Sequence, residues 1–202
     1  MTDACARARR MGAAVTFVLL VTATPIFAHD PGGQAEGFWA GLLHPVSGLD
    51  HVLAMVAVGL WGAQLGAPAV WMLPVAFPML MAVGGFVGLV GVPIPGVEIG
   101  IALSALLLGA VVALEARPPL GAAVALVSLF AIFHGHAHGT ELPPGGNGLT
   151  YSMGFVVATG CLHGAGILFG LVHRWRAGRI ALRAAGAAVA CAGLVFLWRA
   201  FA

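Results

Sequence analysis

Charge is scarce in this chain. Only 8% of its 202 residues are charged, and nine arginines stand against seven carboxylic acids with no lysine at all. A soluble domain carries roughly 25% charged residues, so this balance excludes an ordinary soluble fold and points to an integral membrane protein. A net charge of +2 is too small for a nucleic-acid surface, and no nucleic-acid partner is expected. Cysteine is rare too. Cys5, Cys161 and Cys191 lack CxxC spacing and read as small residues of apolar segments, with Cys161, two residues from His163, a secondary soft-ligand candidate. A phosphate-binding Walker loop is missing, which excludes ATP hydrolysis by the chain itself. No HExxH is present, which counts against a zinc protease. Strand-like alternation is absent as well.

What the chain does have is hydrophobic length. Sixty per cent of it is hydrophobic, and 30 glycines are scattered through the apolar runs, as close helix packing in lipid requires. Arg7, Arg9 and Arg10 precede an apolar stretch from Met11 to Ala23, and Ile26-Phe27-Ala28 offers a cleavage site. Residues 1–28 are therefore expected to be a signal segment, with His29-Asp30 as the mature terminus; an uncleaved signal anchor is the alternative. Residues 29–202 are expected to form one transmembrane domain. Residues 29–46 read as a partly helical entry at the outer interface. Six spans follow, at 47–66, 70–91, 97–115, 120–140, 150–172 and 180–200, each near the roughly 20 residues a crossing needs. Turn-like punctuation separates them, including Pro93-Ile94-Pro95-Gly96, Arg117-Pro118-Pro119 and Pro143-Pro144-Gly145-Gly146. The expected fold is all-α: an integral membrane bundle of six transmembrane helices after an N-terminal signal segment.

Arginine placement sets the orientation. With the first span running inward, Arg117, Arg174, Arg176, Arg179 and Arg183 fall in cytoplasmic loops, and the outer loops near 92–97 and 141–150 hold none. Arg199 alone is on the other side. Small residues recur at four-residue spacing, as Gly62/Gly66, Gly84/Gly88, Gly160/Gly164 and Gly166/Gly170, and predict close helix contacts. Pro74 and Pro78 in the second span free backbone carbonyls.

The chemistry lies where lipid should exclude it. His44, Asp50 and His51 sit in HPVSGLDH; His134, His136, His138 and Glu141 sit in FHGHAHGTE. Ionisable residues in apolar segments usually face a cavity or pathway, and imidazole plus carboxylate suits divalent transition metals. In the predicted topology both clusters, with Glu98, share the outer membrane face. His134 and His138 are i,i+4, and Glu141 is i+7 from His134, so the three can share one helix face. His136 points elsewhere and is a second-tier metal candidate. Gly135 and Gly139 are expected to loosen that helix. Asp50 and His51 are adjacent, so one is assigned to the ion and the other to orienting the ligating imidazoles. Met55 reads as packing. His163, mid-way along the fifth span, is a candidate for a next station inward. His173 and Glu115 read as interfacial groups. Neutral imidazole with one or two carboxylates suits Ni, Co, Zn, Cu(II) or Fe(II), whereas Mg or Ca want mostly oxygen.

At these residues the chain resembles a known family. HPVSGLDHVLAM looks like the first signature of the HupE/UreJ nickel and cobalt permeases, and FHGHAHGTE looks like the second. The resemblance covers essentially the whole chain. It implies a secondary transporter that is not an enzyme, importing Ni(II) or Co(II) across the bacterial inner membrane, with a periplasmic mature N-terminus. Hydrogenase or urease maturation would be supplied. The family's metal-handling residues carry over onto His44, Asp50, His51, His134, His138 and Glu141, and less distinctively onto Glu98. The partners implied are the metal ion and the lipid bilayer, with no permanently bound cofactor; homo-oligomerisation stays open. The alternatives are a membrane di-iron hydroxylase, which the HxxxH spacing of His134 and His138 also fits, and a non-transporting metal sensor or chaperone subunit.

Overall fold

The structure is a computed structural model that describes residues 37–141 and 148–202. The expected signal segment, His29 and the Pro143-Pro144 turn lie outside the described residues. Among the described residues the chain is all helical: α1 (Gly37–Ser47), α2 (Leu49–Leu65), α3 (Ala69–Leu89), α4 (Val97–Leu114), α5 (Leu120–Glu141), α6 (Gly148–Gly170) and α7 (Arg176–Phe201), with a 3-10 turn over Leu171–Arg174. Five helices are long and apolar enough to cross a membrane: α3, α4, α5, α6 with the 3-10 turn, and α7. The remaining expected crossing, 47–66, is α2. Its 17 residues rise only about 26 Å, short of the roughly 30 Å hydrocarbon core. It reaches span length together with α1, from which it turns by 83°.

That bend has a local cause. Pro45 lies inside the last turns of α1, where a missing N–H weakens helix continuation. Gly48 follows in extended geometry, with φ −99° and ψ 114°. The chain then re-enters a helix at Leu49 and runs down the centre of the bundle. Met55, Val58 and Trp61 on α2 are fully buried, and α2 packs on α6, α4 and α3. Large apolar side chains on the outer helices are exposed instead, among them Trp71, Met79, Phe86, Leu168 and Trp198. Such a surface suits lipid rather than water.

Glycines set the helix spacing. Seen from α5, a Cβ on Gly135 would collide with the Met81 carbonyl, and one on Gly139 with the Gly85 carbonyl; from α3, Gly84 and Gly88 meet the carbonyls of Ile132 and His136. The helix is unbroken to Glu141, so Gly135 and Gly139 seat α5 on α3 and do not loosen it. The expectation of a loosened helix is corrected on that point. Of the four-residue pairs, Gly84/Gly88 and Gly166/Gly170 line such contacts. A Cβ on Gly160 or Gly164 meets nothing within 4 Å among the described residues, so that pair packs on none of the described helices.

The two ends of the bundle differ in chemistry. At one end Trp61 Nε1 donates to the Ala116 carbonyl at 2.9 Å, Gln64 Nε2 to the Val112 carbonyl at 3.1 Å, and Arg183 Nε to the Ala113 carbonyl at 3.0 Å. These bonds join the C-terminal ends of α2 and α4 to the start of α7, and place Arg117, Arg179 and Arg183 there. Residues of both histidine motifs gather at the opposite end.

Candidate metal site

Four helix termini and the middle of a fifth helix converge on the histidines. The end of α1 carries His44, the first turn of α2 carries Asp50 and His51, and the last turns of α5 carry His134, His138 and Glu141. The start of α6 lays Tyr151 and Phe155 beside them, with the His138 and Phe155 ring centroids 4.5 Å apart. The interior of α4 supplies Ser104.

His44, His138 and Glu141 form the tightest group. His44 Nε2 lies 2.9 Å from His138 Nδ1, and Glu141 Oε2 lies 3.6 Å from the first and 4.0 Å from the second. Among the described residues these are the three whose ligand atoms all fall within 4.8 Å of one another. Two ligands on one ion at bond lengths of about 2.1 Å stand about 3.0 Å apart at a right angle and about 3.4 Å apart in a tetrahedron. The trio is therefore near ligand spacing before any ion arrives. Glu141 is about half exposed, and His44 and His138 are progressively more covered, so the group opens outward.

Behind it the imidazoles continue inward. His138 and His51 have ring centroids 4.5 Å apart, and His51 and His134 also 4.5 Å. Asp50 fixes the second of these rings. Its Oδ1 accepts both the His51 backbone N–H and, at 2.9 Å, the Nδ1–H of the His51 ring. The first bond satisfies a free amide at the start of α2. The second sets the tautomer, leaving His51 Nε2 as the lone-pair nitrogen. Gly48 makes room for the pair: a Cβ there would stand 2.9 Å from Asp50 Oδ1 and 3.1 Å from His51 Nδ1. His134 is held by the Ser104 hydroxyl, 2.8 Å from its Nε2, while Ser104 donates to the Ile101 carbonyl at 2.6 Å. With its proton committed there, Ser104 accepts, so His134 carries its proton on Nε2 and its lone pair on Nδ1.

Each inner imidazole thus keeps one nitrogen unused. His51 Nε2, His134 Nδ1 and His138 Nε2 are buried without a hydrogen-bond partner. A buried polar atom left unpaired costs about 1–3 kcal/mol, and three on adjoining rings call for a ligand that the fold expects to receive.

Other expected residues lie elsewhere. His136 turns away, as its position on the helix predicts, and donates from Nε2 to the Val92 carbonyl at 2.8 Å, tying α5 to the α3–α4 connection. Glu98, in the first turn of α4, is exposed and enters none of the contacts of the cluster. Met55 is fully buried in the core. Phe77 of α3 lies beneath His134 at 5.6 Å between centroids, and His163 lies 5.4 Å beyond Phe77. Cys161 is exposed on the outside of α6 and is no part of the cluster.

Sequence reasoning missed Ser104, Phe77, Tyr151 and Phe155. Ser104 did carry a signal, as the one hydroxyl inside an otherwise apolar α4. The aromatics carried none.

The chain as a whole is similar to known proteins. The family model described as HupE / UreJ protein matches residues 17–196. The chain belongs to the HupE/UreJ family. It is 47% identical over 184 residues to Protein HupE of Rhizobium leguminosarum bv. viciae, covering 91% of this chain and 96% of that one. No solved structure matches it. HupE/UreJ proteins are hydrogenase and urease accessory proteins related to nickel and cobalt transport, a permease rather than an enzyme family. As a HupE/UreJ protein with several apolar spans, the chain is a multi-pass protein of the lipid bilayer.

Proposed function

We propose that this chain is a secondary transporter that imports Ni(II), and Co(II) through the same ligands, across the bacterial inner membrane. The histidine end of the bundle faces the periplasm, as does the mature N-terminus, and the arginine end faces the cytoplasm. The ion is cargo; no resident cofactor is required. His44, His138 and Glu141 capture it, and one half-exposed carboxylate supplies negative charge at the mouth. The last carbonyls of α5 add to that potential. His51 and His134 receive the ion next, each with its tautomer preset by Asp50 or Ser104.

The observation that carries this reading is the trio of buried, unpartnered ring nitrogens behind an outward-opening His/His/Glu group. Imidazole nitrogen with a single carboxylate suits borderline divalent ions. Exchange within a file of neighbouring, incompletely filled sites lets such an ion be bound and still leave.

Uptake of radiolabelled nickel into cells carrying His44→Ala or His138→Ala tests the reading. Loss of uptake in both, at unchanged protein level, is expected; wild-type uptake in both rules out the site. A non-transporting sensor or chaperone subunit is separated by liposomes holding only this protein and an internal nickel-sensitive dye. A dye response supports transport, and binding without influx supports the sensor.

A further inference from the structure

Below the entry cluster, polar atoms are orphaned a second time. His163 is 2% exposed, and neither of its ring nitrogens makes a hydrogen bond. One helical turn earlier on α6, Thr159 is fully buried, and its hydroxyl is also unpartnered. An i,i+4 pair shares one helix face, so the two orphans are neighbours. A buried threonine hydroxyl in a helix commonly bonds back to its own backbone; this one does not. The carbonyl of Pro74 on α3 approaches the His163 ring without reaching hydrogen-bond geometry. Pro78 lies four residues further along the same helix and has no N–H, so the Pro74 carbonyl lacks its usual helical donor.

Four polar atoms from two helices, each without a conventional partner, thus adjoin in the interior of the bundle. We propose that a divalent cation leaving the entry cluster pauses at a second, deeper site formed by a His163 ring nitrogen, the Thr159 hydroxyl and the Pro74 carbonyl. This rests on the transport reading above and extends it inward. The ligand class is a borderline divalent transition metal, because one imidazole with two neutral oxygens is a poor substitute for the oxygen shell of Mg or Ca. Among the described residues no carboxylate serves this site. The described acids are Asp50, Glu98, Glu115 and Glu141, all at helix ends. A cation held there has its charge uncompensated in a low-dielectric setting, so the site is weak and short-lived. That is the property of a transit station, as opposed to a store.

The test uses the full chain in liposomes with internal nickel-sensitive dye, alongside equilibrium binding of radiolabelled Ni(II) to the purified protein. His163→Ala is expected to cut initial influx at least tenfold while Ni(II) affinity at the entry cluster stays within twofold of wild type. His163→Asn serves if the alanine variant does not fold. Thr159→Val, which keeps the shape and removes the orphan hydroxyl, is expected to lower influx severalfold with thermal stability unchanged or raised, which a structural hydroxyl would not give. Wild-type influx in both folded variants overturns the proposal.

If the wild-type chain imports no metal, the transport reading fails, and the deeper site is judged by binding alone. In equilibrium binding, the His44→Ala/His138→Ala protein should then keep weak Ni(II) binding that the added His163→Ala change abolishes. Equal binding with and without His163 overturns the site.

Discussion

Neutralising Asp50 separates an orienting role from a ligating one. Its Oδ1 holds the His51 ring at 2.9 Å and the His51 backbone amide at 2.9 Å. Asp50→Asn keeps an oxygen able to accept both bonds but removes the charge. A hydrogen bond to a charged group contributes about 1.5–3 kcal/mol, and one between neutral groups about 0.5–1.5. The difference is about 1–1.5 kcal/mol, or roughly tenfold in affinity at about 1.4 kcal/mol per decade. Asp50→Ala removes both bonds and frees the ring to rotate, for which second-layer losses reach about 100-fold. The assay is initial-rate nickel uptake into liposomes over a range of Ni(II) concentrations. A graded rise in KM is expected, about tenfold for asparagine and towards 100-fold for alanine, with the maximal rate changed much less. An unchanged KM in Asp50→Ala, or equally complete loss in both variants, refutes the orienting role.

Other outcomes follow from the same geometry. Gly48→Ala sets a methyl group 2.9 Å from Asp50 Oδ1, so its uptake KM should rise in the manner of Asp50→Asn, and the double variant should be little worse than either single. Ser104→Ala removes the 2.8 Å contact to His134; nickel affinity in equilibrium binding should fall about tenfold, within the range for second-layer partners. Gly135→Val drives a side chain into the Met81 backbone, and thermal unfolding in detergent should show a loss of at least about 1–3 kcal/mol, the usual cost of overpacking. Metal binds the neutral imidazole and competes with protons, so uptake measured between pH 7.5 and 5.5 should decline as pH falls and recover at higher nickel concentration.

Much of the fold is legible in the sequence because lipid imposes one rule: a backbone that cannot meet water must run helical until a turn breaks it. The third span was expected at 97–115 and is Val97–Leu114; the fourth, expected at 120–140, is Leu120–Glu141. Proline-rich connections punctuate both. The last helix was expected from 180 and begins at Arg176, because arginines at the boundary extend a helix that an apolarity window truncates. The site was legible as a list of residues and only partly as a geometry. Helical spacing put His134, His138 and Glu141 on one side of the helix and His136 on another. In the structure His138 adjoins Glu141 and His44, His134 lies a layer deeper beside His51 and Ser104, and His136 bonds the Val92 carbonyl. Spacing could not show that Glu98, in the first turn of its own helix, stands clear of them. Nor could it show that an 83° turn after Pro45 folds His44 back onto His138. That contact depends on packing α1 against α6, where Gly41 and Gly154 allow backbones to approach. The role of the glycines in FHGHAHG was misread for a related reason: propensity treats glycine as a helix weakener, while in this bundle the close α3 backbone holds it in place.

The account rests on a divalent metal ion entering among His44, His138 and Glu141. Anomalous diffraction at the nickel edge from crystals of the protein soaked in Ni(II) tests that claim most directly. The predicted result is a peak within ligand distance of these three side chains, absent from crystals of the His138→Ala protein. Strong nickel peaks elsewhere with none at this cluster would contradict it.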